Sequence, residues 1–290
     1  MILVILGPTG VGKSELAYKL APKLNAEIVN GDAFQIYKEM DIGVAKPPKE
    51  YFLNIPHHLY SFVSPSEAYS IKEYQTDARR VIKDILSRGK NVILVGGSGL
   101  YIRSALFDYE FKDSEEIDMS KYEAMDNETL HKELEKIDPN DALKIHPNNR
   151  RRVLRSIQIY LENGESKSEI ISRQNHKPIY ENTLFVMPNF DRDALYMNIN
   201  KRVEKMIENG LLNEAKHIYD HYPNSQAIMG IGYKEFIPYF ENKASLEEVV
   251  EEIKKDTRNY AKRQITFFKY QFNVKTFNNE EELLEVIHHG

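Results

Sequence analysis

The sequence predicts an α/β protein, a parallel sheet flanked by helices and interrupted by a helical insertion. Three observations carry this. An apolar run, Ile2 to Leu6, leads into Gly7-Pro8-Thr9-Gly10-Val11-Gly12-Lys13-Ser14, which matches G-x-x-x-x-G-K-[ST] throughout. Further short apolar runs alternate with segments of helical periodicity, the pattern of a parallel sheet covered on both faces. Between them lies a long, highly charged stretch without a strand pattern. The first observation makes the sheet P-loop NTPase-like, because the motif sits between a strand and a helix as its chemistry requires.

In chain order, Ile2–Leu6 reads as a buried strand, and Leu16, Ala17 and Leu20 fall on one face of the following helix. Glu27-Ile28-Val29-Asn30 reads as a second strand that ends at Gly31-Asp32. From Gly43 to Pro56 the chain looks like loop, punctuated by Pro47-Pro48. Ser70-Ile71-Lys72-Glu73 is a capping box and opens a helix that Gly89 ends. Asn91 to Val95 is a fully apolar strand running into Gly96-Gly97-Ser98-Gly99. Leu184 to Met187 reads as a strand, then a helix carries Val203, Met206, Ile207 and Leu211. Another helix is expected over about 246 to 272, and Val274 to Phe277 suits a last strand. The expected division is a core of 1–110 with 181–290 and a helical insertion of 111–180.

Composition narrows the function classes. The chain has 290 residues, 41% hydrophobic and 29% charged, enough for a sizeable core. No apolar run approaches the roughly 18 residues of a membrane span. The first residues carry no basic flank or cleavage pattern, so a mature, cytoplasmic chain is expected. The absence of cysteine excludes disulfides, thiolate metal sites and a cysteine nucleophile. A net charge of −5 argues against a nucleic-acid binder, since such domains are often basic overall, so any polyanion must meet a local patch. Residues 113 to 141 are acidic, whereas 144 to 155 hold Lys144, Arg150, Arg151, Arg152 and Arg155 and no acid.

The candidate chemistry centres on the glycine loop. Its backbone N–H groups cradle phosphate at a helix N-terminus, Lys13 adds a charge, and the Ser14 hydroxyl suits Mg²⁺. The strand Asn91–Val95 ends without the carboxylate that usually helps hold magnesium in such sheets. The carboxylate, Asp32, ends the other strand instead. Ligands gather at the C-terminal ends of parallel strands, so Asp32, Ser98 and the loop should face one crevice. The alternative is that Asp32 merely caps a turn or binds Mg²⁺ through water. The pair His57-His58 does not share a strand face and has no evident third ligand, so it reads as structural or as part of a substrate channel. His288 and His289 read as a frayed tail.

Seven ordered blocks, GPTGVGKS, GDAFQIYKEMDIGVAKP, PHHLY, GGSGLY, HPNNRRRVLR, IMGIGYKE and TRNYAKRQITFF, resemble the tRNA dimethylallyltransferases of bacterial type and span residues 7 to about 268. The resemblance implies that the loop, Gly7 to Ser14, holds the diphosphate of dimethylallyl diphosphate rather than a nucleotide, with Mg²⁺ assisting. It implies transfer of the dimethylallyl group to the exocyclic amine of the adenosine 3′-adjacent to the anticodon. Asp32 would be the base, with an ordinary pKa near 4, and Ser98 would sit near the reacting amine or the bridging oxygen. Arg258 would be a second diphosphate clamp, unless it lies on a solvated helix face. The tRNA anticodon stem-loop would meet Asp32, Ala33, Phe34 and Gln35 at the base, with Gln35 offering donor and acceptor to the adenine edge. It would also meet Arg151, Arg152, Val153, Leu154 and Arg155 in the insertion. A monomer is expected. The sequence departs from the family pattern at Ala33 (usually Ser), Ser98 (usually Thr), Phe267 (usually Trp) and Lys269 (usually Arg). A nucleotide kinase, a prenyltransferase acting on free adenine nucleotides and a non-catalytic RNA-binding module remain open at this level.

Overall fold

The computed structural model describes residues 1–109, 117–173 and 177–289. The chain begins with β1 (Ile2–Ile5), the glycine loop and α1 (Lys13–Lys23), then β2 (Ala26–Asn30). Pro47-Pro48 does not prolong a loop. Pro48 is the N-cap of a short helix, α2 (Lys49–Asn54), because its extended backbone (φ −54°, ψ 146°) ends where helix begins. A two-residue strand, β3 (His57–His58), follows, too short for its periodicity to show in the sequence. The capping box at Ser70 forms, with the Glu73 N–H donating to Ser70 Oγ and the Ser70 N–H to Glu73, and opens α3 (Ile71–Ser87). Then come β4 (Asn91–Val95) and α4 (Gly99–Leu106).

Among the described residues, the next elements are the helices α5 (Ser120–Glu123), α6 (Asn127–Ile137), α7 (Pro139–Ala142), α8 (Arg150–Asn163) and α9 (Lys167–Arg173). The chain returns with β5 (Thr183–Pro188), α10 (Arg192–Glu208), α11 (Leu211–His221), α12 (Ile237–Phe240), α13 (Leu246–Gln271), β6 (Val274–Phe277) and α14 (Glu280–His288). The helix expected to carry both Val203 and Leu211 is two helices. Gly210, at φ +98°, breaks it and leads into α11, a conformation that glycine adopts without strain. His288 belongs to α14 rather than to a frayed tail.

Two compact units divide the chain, Met1–Leu106 with Pro178–Gly290, and Phe107–Lys177. In the first, six strands form one all-parallel sheet in the order β3-β2-β4-β1-β5-β6. Leu3, Ile5, Ile28 and Ile93 pack with Ala17 and Leu20 of α1 on one face, and Ile2 and Val4, on the other, are equally buried. Both faces are therefore covered. The register sets Ile5 beside Val95, and Val95 beside Asn30, so the loops after β1, β2 and β4 leave the sheet side by side.

In the second unit Leu130 and Leu134 of α6, Ala142 of α7 and Val153 and Ile157 of α8 form a separate core. Arg150 is spent inside this unit, donating to the carbonyls of Met125 and Glu123 and to Asn127 Oδ1. The acidic run expected at 113 to 141 lies partly outside the described residues, at 113–116.

Candidate active site

The glycine loop is shaped by residues that tolerate left-handed backbone. Gly10 (φ +92°) and Gly12 (φ +79°) take conformations that would strain any other residue, and Gly12 leads directly into α1. Lys13 folds back so that its Nζ donates to the Pro8 carbonyl at 2.8 Å. The Thr9 N–H donates to Gln264 Oε1 at 3.0 Å, and Gln264 Nε2 donates to the Gly97 carbonyl at 2.9 Å. A single α13 side chain thus joins the loop after β1 to the loop after β4.

The ends of β2 and β4 meet backbone to backbone. A Cβ on Gly96 would lie 2.2 Å from the carbonyl carbon and oxygen of Gly31, and one on Gly97 would lie 2.2 Å from Gln264 Nε2. A Cβ on Gly99 would lie 2.3 Å from the ring of Phe267, so the phenylalanine at this position closes over that glycine. The run Gly96-Gly97-Ser98-Gly99 is where a strand-end carboxylate is missing, and close packing is the physical reason that small residues occupy it.

Asp32 divides its two oxygens. Oδ1 accepts from the N–H groups of Phe34 (2.9 Å) and Gln35 (3.4 Å), capping the turn after β2. Oδ2 has no hydrogen-bond partner among the described residues. Ser98 Oγ accepts from the Ala33 N–H at 2.9 Å, which leaves its own proton to donate. Enclosure by protein raises the Asp32 pKa above its ordinary value, although Lys13 and Arg202 nearby oppose the rise. The expectation of an unperturbed carboxylate is thereby corrected. Burial, and secondly the charge of Arg202, lower the Lys13 pKa to about 7, with Asp32 acting the other way.

These groups line a cavity of about 560 Å³ that lies wholly within the first unit. Thr9, Gly10, Gly12, Lys13 and Ser14 form its glycine-loop wall. Asp32, Ala33, Phe34, Gln35 and Ser98 form a second wall. Ile199, Val203 and Met206 of α10, with Ile253 of α13, give it an apolar side. Gly7, Pro8 and Val11 do not line it, and Val11 packs instead against the cluster of Leu195, Ile199 and Ala261.

Some expected site residues lie elsewhere. Arg258 is not a wall of the cavity, because its Nη1 donates to Asn200 Oδ1 at 2.6 Å. The arginine beside Lys13 and Asp32 is Arg202 of α10, which lines the cavity and makes no hydrogen bond or ion pair with a described residue. Its sequence signal was slight, a cation one residue before Val203 on the edge of an apolar stripe. Arg263 and Tyr260, in the quoted TRNYAKRQ block, also line the cavity, and burial pushes the Tyr260 phenol up to about 12. Gln35 cannot offer both donor and acceptor, since its Nε2 already donates to the carbonyls of Val44 (3.0 Å) and Ala45 (3.2 Å).

In the second unit Val153 cannot touch RNA, being fully buried, and Leu154 packs partly against the same core. Arg151, Arg152 and Arg155 are exposed on α8; Arg155 pairs with Glu162 on its own helix, while Arg151 and Arg152 make no hydrogen bond or ion pair with a described residue. His57 Nδ1 contacts the Ile55 carbonyl and His58 Nε2 contacts Glu27, so the pair is structural.

Among the described residues, no three His, Cys, Asp or Glu side chains converge to hold a metal ion. A hard cation that keeps its waters and rides on a substrate's phosphates needs less, and Ser14, which lines the cavity and whose hydroxyl has no hydrogen-bond partner among the described residues, fits that need. Among the described residues, no helix is long and apolar enough to cross a membrane.

The family model described as IPP transferase matches residues 35–271. A tRNA dimethylallyltransferase of Anoxybacillus flavithermus (strain DSM 21510 / WK1) is 41% identical over 297 residues, covering 99% of this chain and 95% of that protein. One of Bacillus mycoides (strain KBAB4) is 44% identical over 285 residues, covering 96% and 89%. The crystal structure of a tRNA delta(2)-isopentenylpyrophosphate transferase from Staphylococcus epidermidis matches with a TM-score of 0.73 and 39% identity over 99% of this chain and 97% of that one. The structure of a eukaryotic dimethylallyltransferase acting on tRNA matches with a TM-score of 0.82 and 33% identity over 97% and 75%. With the glycine loop and a carboxylate on one cavity and relatives of this identity along almost its whole length, the chain belongs to the IPP transferase family, that of the tRNA dimethylallyltransferases.

Proposed function

We propose that the chain transfers the dimethylallyl group of dimethylallyl diphosphate to the exocyclic amine of the adenosine 3′-adjacent to the anticodon in tRNA, releasing diphosphate. The observation that carries this is that the glycine loop, Asp32 and an apolar wall share one cavity. A nucleotide kinase has no use for an apolar wall beside the transferred group, and β4 lacks the carboxylate it would use for magnesium.

The diphosphate lies on the loop at the positive end of α1, met by Lys13 and Arg202. Ile199, Val203, Met206 and Ile253 surround the five-carbon chain. Adenine leaves the anticodon-loop stack at a cost of a few kcal/mol and enters beside Phe34 and Gln35. The amine nitrogen bonds to the allylic carbon as the carbon–oxygen bond to diphosphate breaks. Asp32 Oδ2 accepts the proton that the nitrogen loses, and its raised pKa makes it a stronger base than an ordinary aspartate. The Ser98 hydroxyl donates toward the departing oxygen. When bound with the diphosphate, Mg²⁺ would neutralise the charge gathering on the leaving group, and the Ser14 hydroxyl would be its protein ligand. Arg151, Arg152 and Arg155 contact tRNA phosphates. The enzyme acts as a monomer in the cytoplasm.

The test is transfer of radiolabelled dimethylallyl diphosphate to unmodified tRNA with Mg²⁺, with AMP and ATP as rival acceptors. Label in tRNA alone is expected. Label in AMP, or hydrolysis of ATP without label transfer, would overturn the proposal.

A further inference from the structure

The loop Asp41 to Lys46 borders the cavity, and α11 holds it in an unusual way. The Glu214 carboxylate accepts three consecutive backbone N–H groups, from Asp41 (2.8 Å), Ile42 (2.9 Å) and Gly43 (2.9 Å). It also accepts the Tyr233 hydroxyl at 2.6 Å, and Tyr233 is fully buried. Gly43 has no room for a side chain, since a Cβ would lie 2.6 Å from the Tyr233 ring. Lys46, from the far end of the loop, donates to the Tyr37 carbonyl at 2.6 Å and to Asp41 at 2.9 Å. The loop is thus fixed at both ends. What it presents between them are the carbonyls of Val44 and Ala45, and Ala45 is itself held at φ +50°, a left-handed backbone that non-glycine residues seldom adopt.

Those two carbonyls take both amide hydrogens of Gln35. A primary amide whose donors are both committed has only its carbonyl oxygen left. Gln35 lines the cavity, so it faces a ligand as an acceptor alone. An acceptor at that place suits an amino group and rejects a carbonyl oxygen. Adenine carries an amine at position 6, where guanine and hypoxanthine carry an oxygen.

We propose that Glu214 is a positioning residue for base recognition: through the 41–43 backbone and the Val44 and Ala45 carbonyls it holds Gln35 as a pure acceptor, and thereby favours a 6-amino purine over a 6-oxo purine. The inference rests on the adenosine-modifying function proposed above. Glu214 touches no substrate in this arrangement. Without its charge, the three N–H groups lose their common acceptor, the loop loosens, and the Gln35 amide is free to rotate and present its donors.

The experiment compares affinities of the full chain for two anticodon stem-loops that differ only in adenosine or inosine at the modified position. Binding is measured by fluorescence anisotropy without the prenyl donor, with wild type, Glu214→Gln and Tyr233→Phe. Wild type is expected to favour adenosine. In Glu214→Gln the adenosine-over-inosine ratio should fall about five- to tenfold, the size of a lost hydrogen bond and a newly opposed one. Tyr233→Phe, which keeps the shape of the core and removes one bond to the carboxylate, should lower the ratio by a smaller factor. General destabilisation weakens both ligands alike and leaves the ratio alone, so it is not mistaken for the effect. Should Glu214→Gln fail to fold, Tyr233→Phe decides by the same ratio. An unchanged ratio in a folded variant, with wild type still favouring adenosine, would overturn the role of Glu214. A wild type that binds both stem-loops equally, and transfers no label, would overturn the functional proposal beneath it.

Discussion

Binding of dimethylallyl diphosphate should take up a proton at Lys13. Before the diphosphate arrives, burial and the neighbouring Arg202 hold the Lys13 pKa at about 7, so near neutrality the amine is charged only part of the time. A diphosphate on the loop brings negative charge to the ammonium and returns its pKa to the ordinary lysine range. The sign follows directly: the bound state binds more protons than the free state, so binding consumes a proton and weakens as pH rises. With a free pKa of about 7, uptake should be about half a proton at pH 7 and about 0.9 at pH 8, and affinity should fall about fivefold over that unit. Calorimetric titration at pH 7.5 to 8.5, in two buffers of different ionisation enthalpy, measures the uptake. This range lies above the titration of a terminal phosphate, whose second pKa is about 6. Arg202→Gln sharpens the test. It removes an electrostatic partner of the diphosphate, so affinity should drop, yet it also relieves Lys13, so uptake at pH 7.5 should shrink. Uptake below about 0.2 proton across pH 7.5 to 8.5 in wild type would refute the reasoning.

Other expectations follow from single residues. Asp32→Asn keeps an acceptor for the Phe34 and Gln35 N–H groups but loses the base, so kcat should fall by about 10²–10⁴-fold while the thermal unfolding midpoint does not drop. Glu27, buried in β2, accepts from Arg88, Lys90 and His58, chiefly Arg88, and these hold its carboxyl well below the usual range. Its contribution is full above the unfolded pKa of 4.5 and is lost as pH falls below it. Glu27→Gln should cost about 2–3 kcal/mol in urea unfolding at pH 7, less than a fully buried pair because Arg88 and Lys90 reach solvent. Gly96→Ala should cost about 3 kcal/mol or more, since the new Cβ meets Gly31 backbone. Gly89→Ala, with open space but φ +72°, should cost only about 1–2 kcal/mol by the same measurement. Arg151→Gln or Arg152→Gln should weaken tRNA binding and flatten the plot of log Kd against log salt by roughly 0.7–1, read from a salt series.

The sheet was legible because β1 and β4 are apolar runs that end in glycine turns, and the capping box at Ser70 named its helix start. The phosphate loop was legible because backbone geometry itself demands its glycines. What escaped detection depended on contacts far apart in sequence. β3 has two residues, both histidines, and exists by pairing with β2. α2 was hidden behind prolines that proved to start it. Arg202 and Arg258 both sit on amphipathic helices, and only tertiary packing turns the first into the cavity and ties the second to Asn200. Val153 lies amid arginines in sequence, yet the helix turns it inward. The commitment of the Gln35 amide could not be read either, since its partners belong to a loop shaped by Glu214, 179 residues away along the chain (214 − 35).

The bonds of Lys13 to the Pro8 carbonyl and of the Thr9 N–H to Gln264 bear on turnover as well as on binding. Both donors belong to the loop proposed to receive the diphosphate, and each has a partner within its own chain. For the Thr9 N–H, which has a single hydrogen, arrival of the anion would be an exchange of hydrogen bonds, and so would its departure. On the proposed function, spent diphosphate would leave without stranding a buried donor, because the Gln264 side chain stands ready to accept from Thr9 again and the Pro8 carbonyl from Lys13. A phosphate cradle with no such internal partners would hold its product by the cost of unpaired groups as well as by charge. Here the self-satisfied loop lowers that second cost and clears the way for the next catalytic cycle.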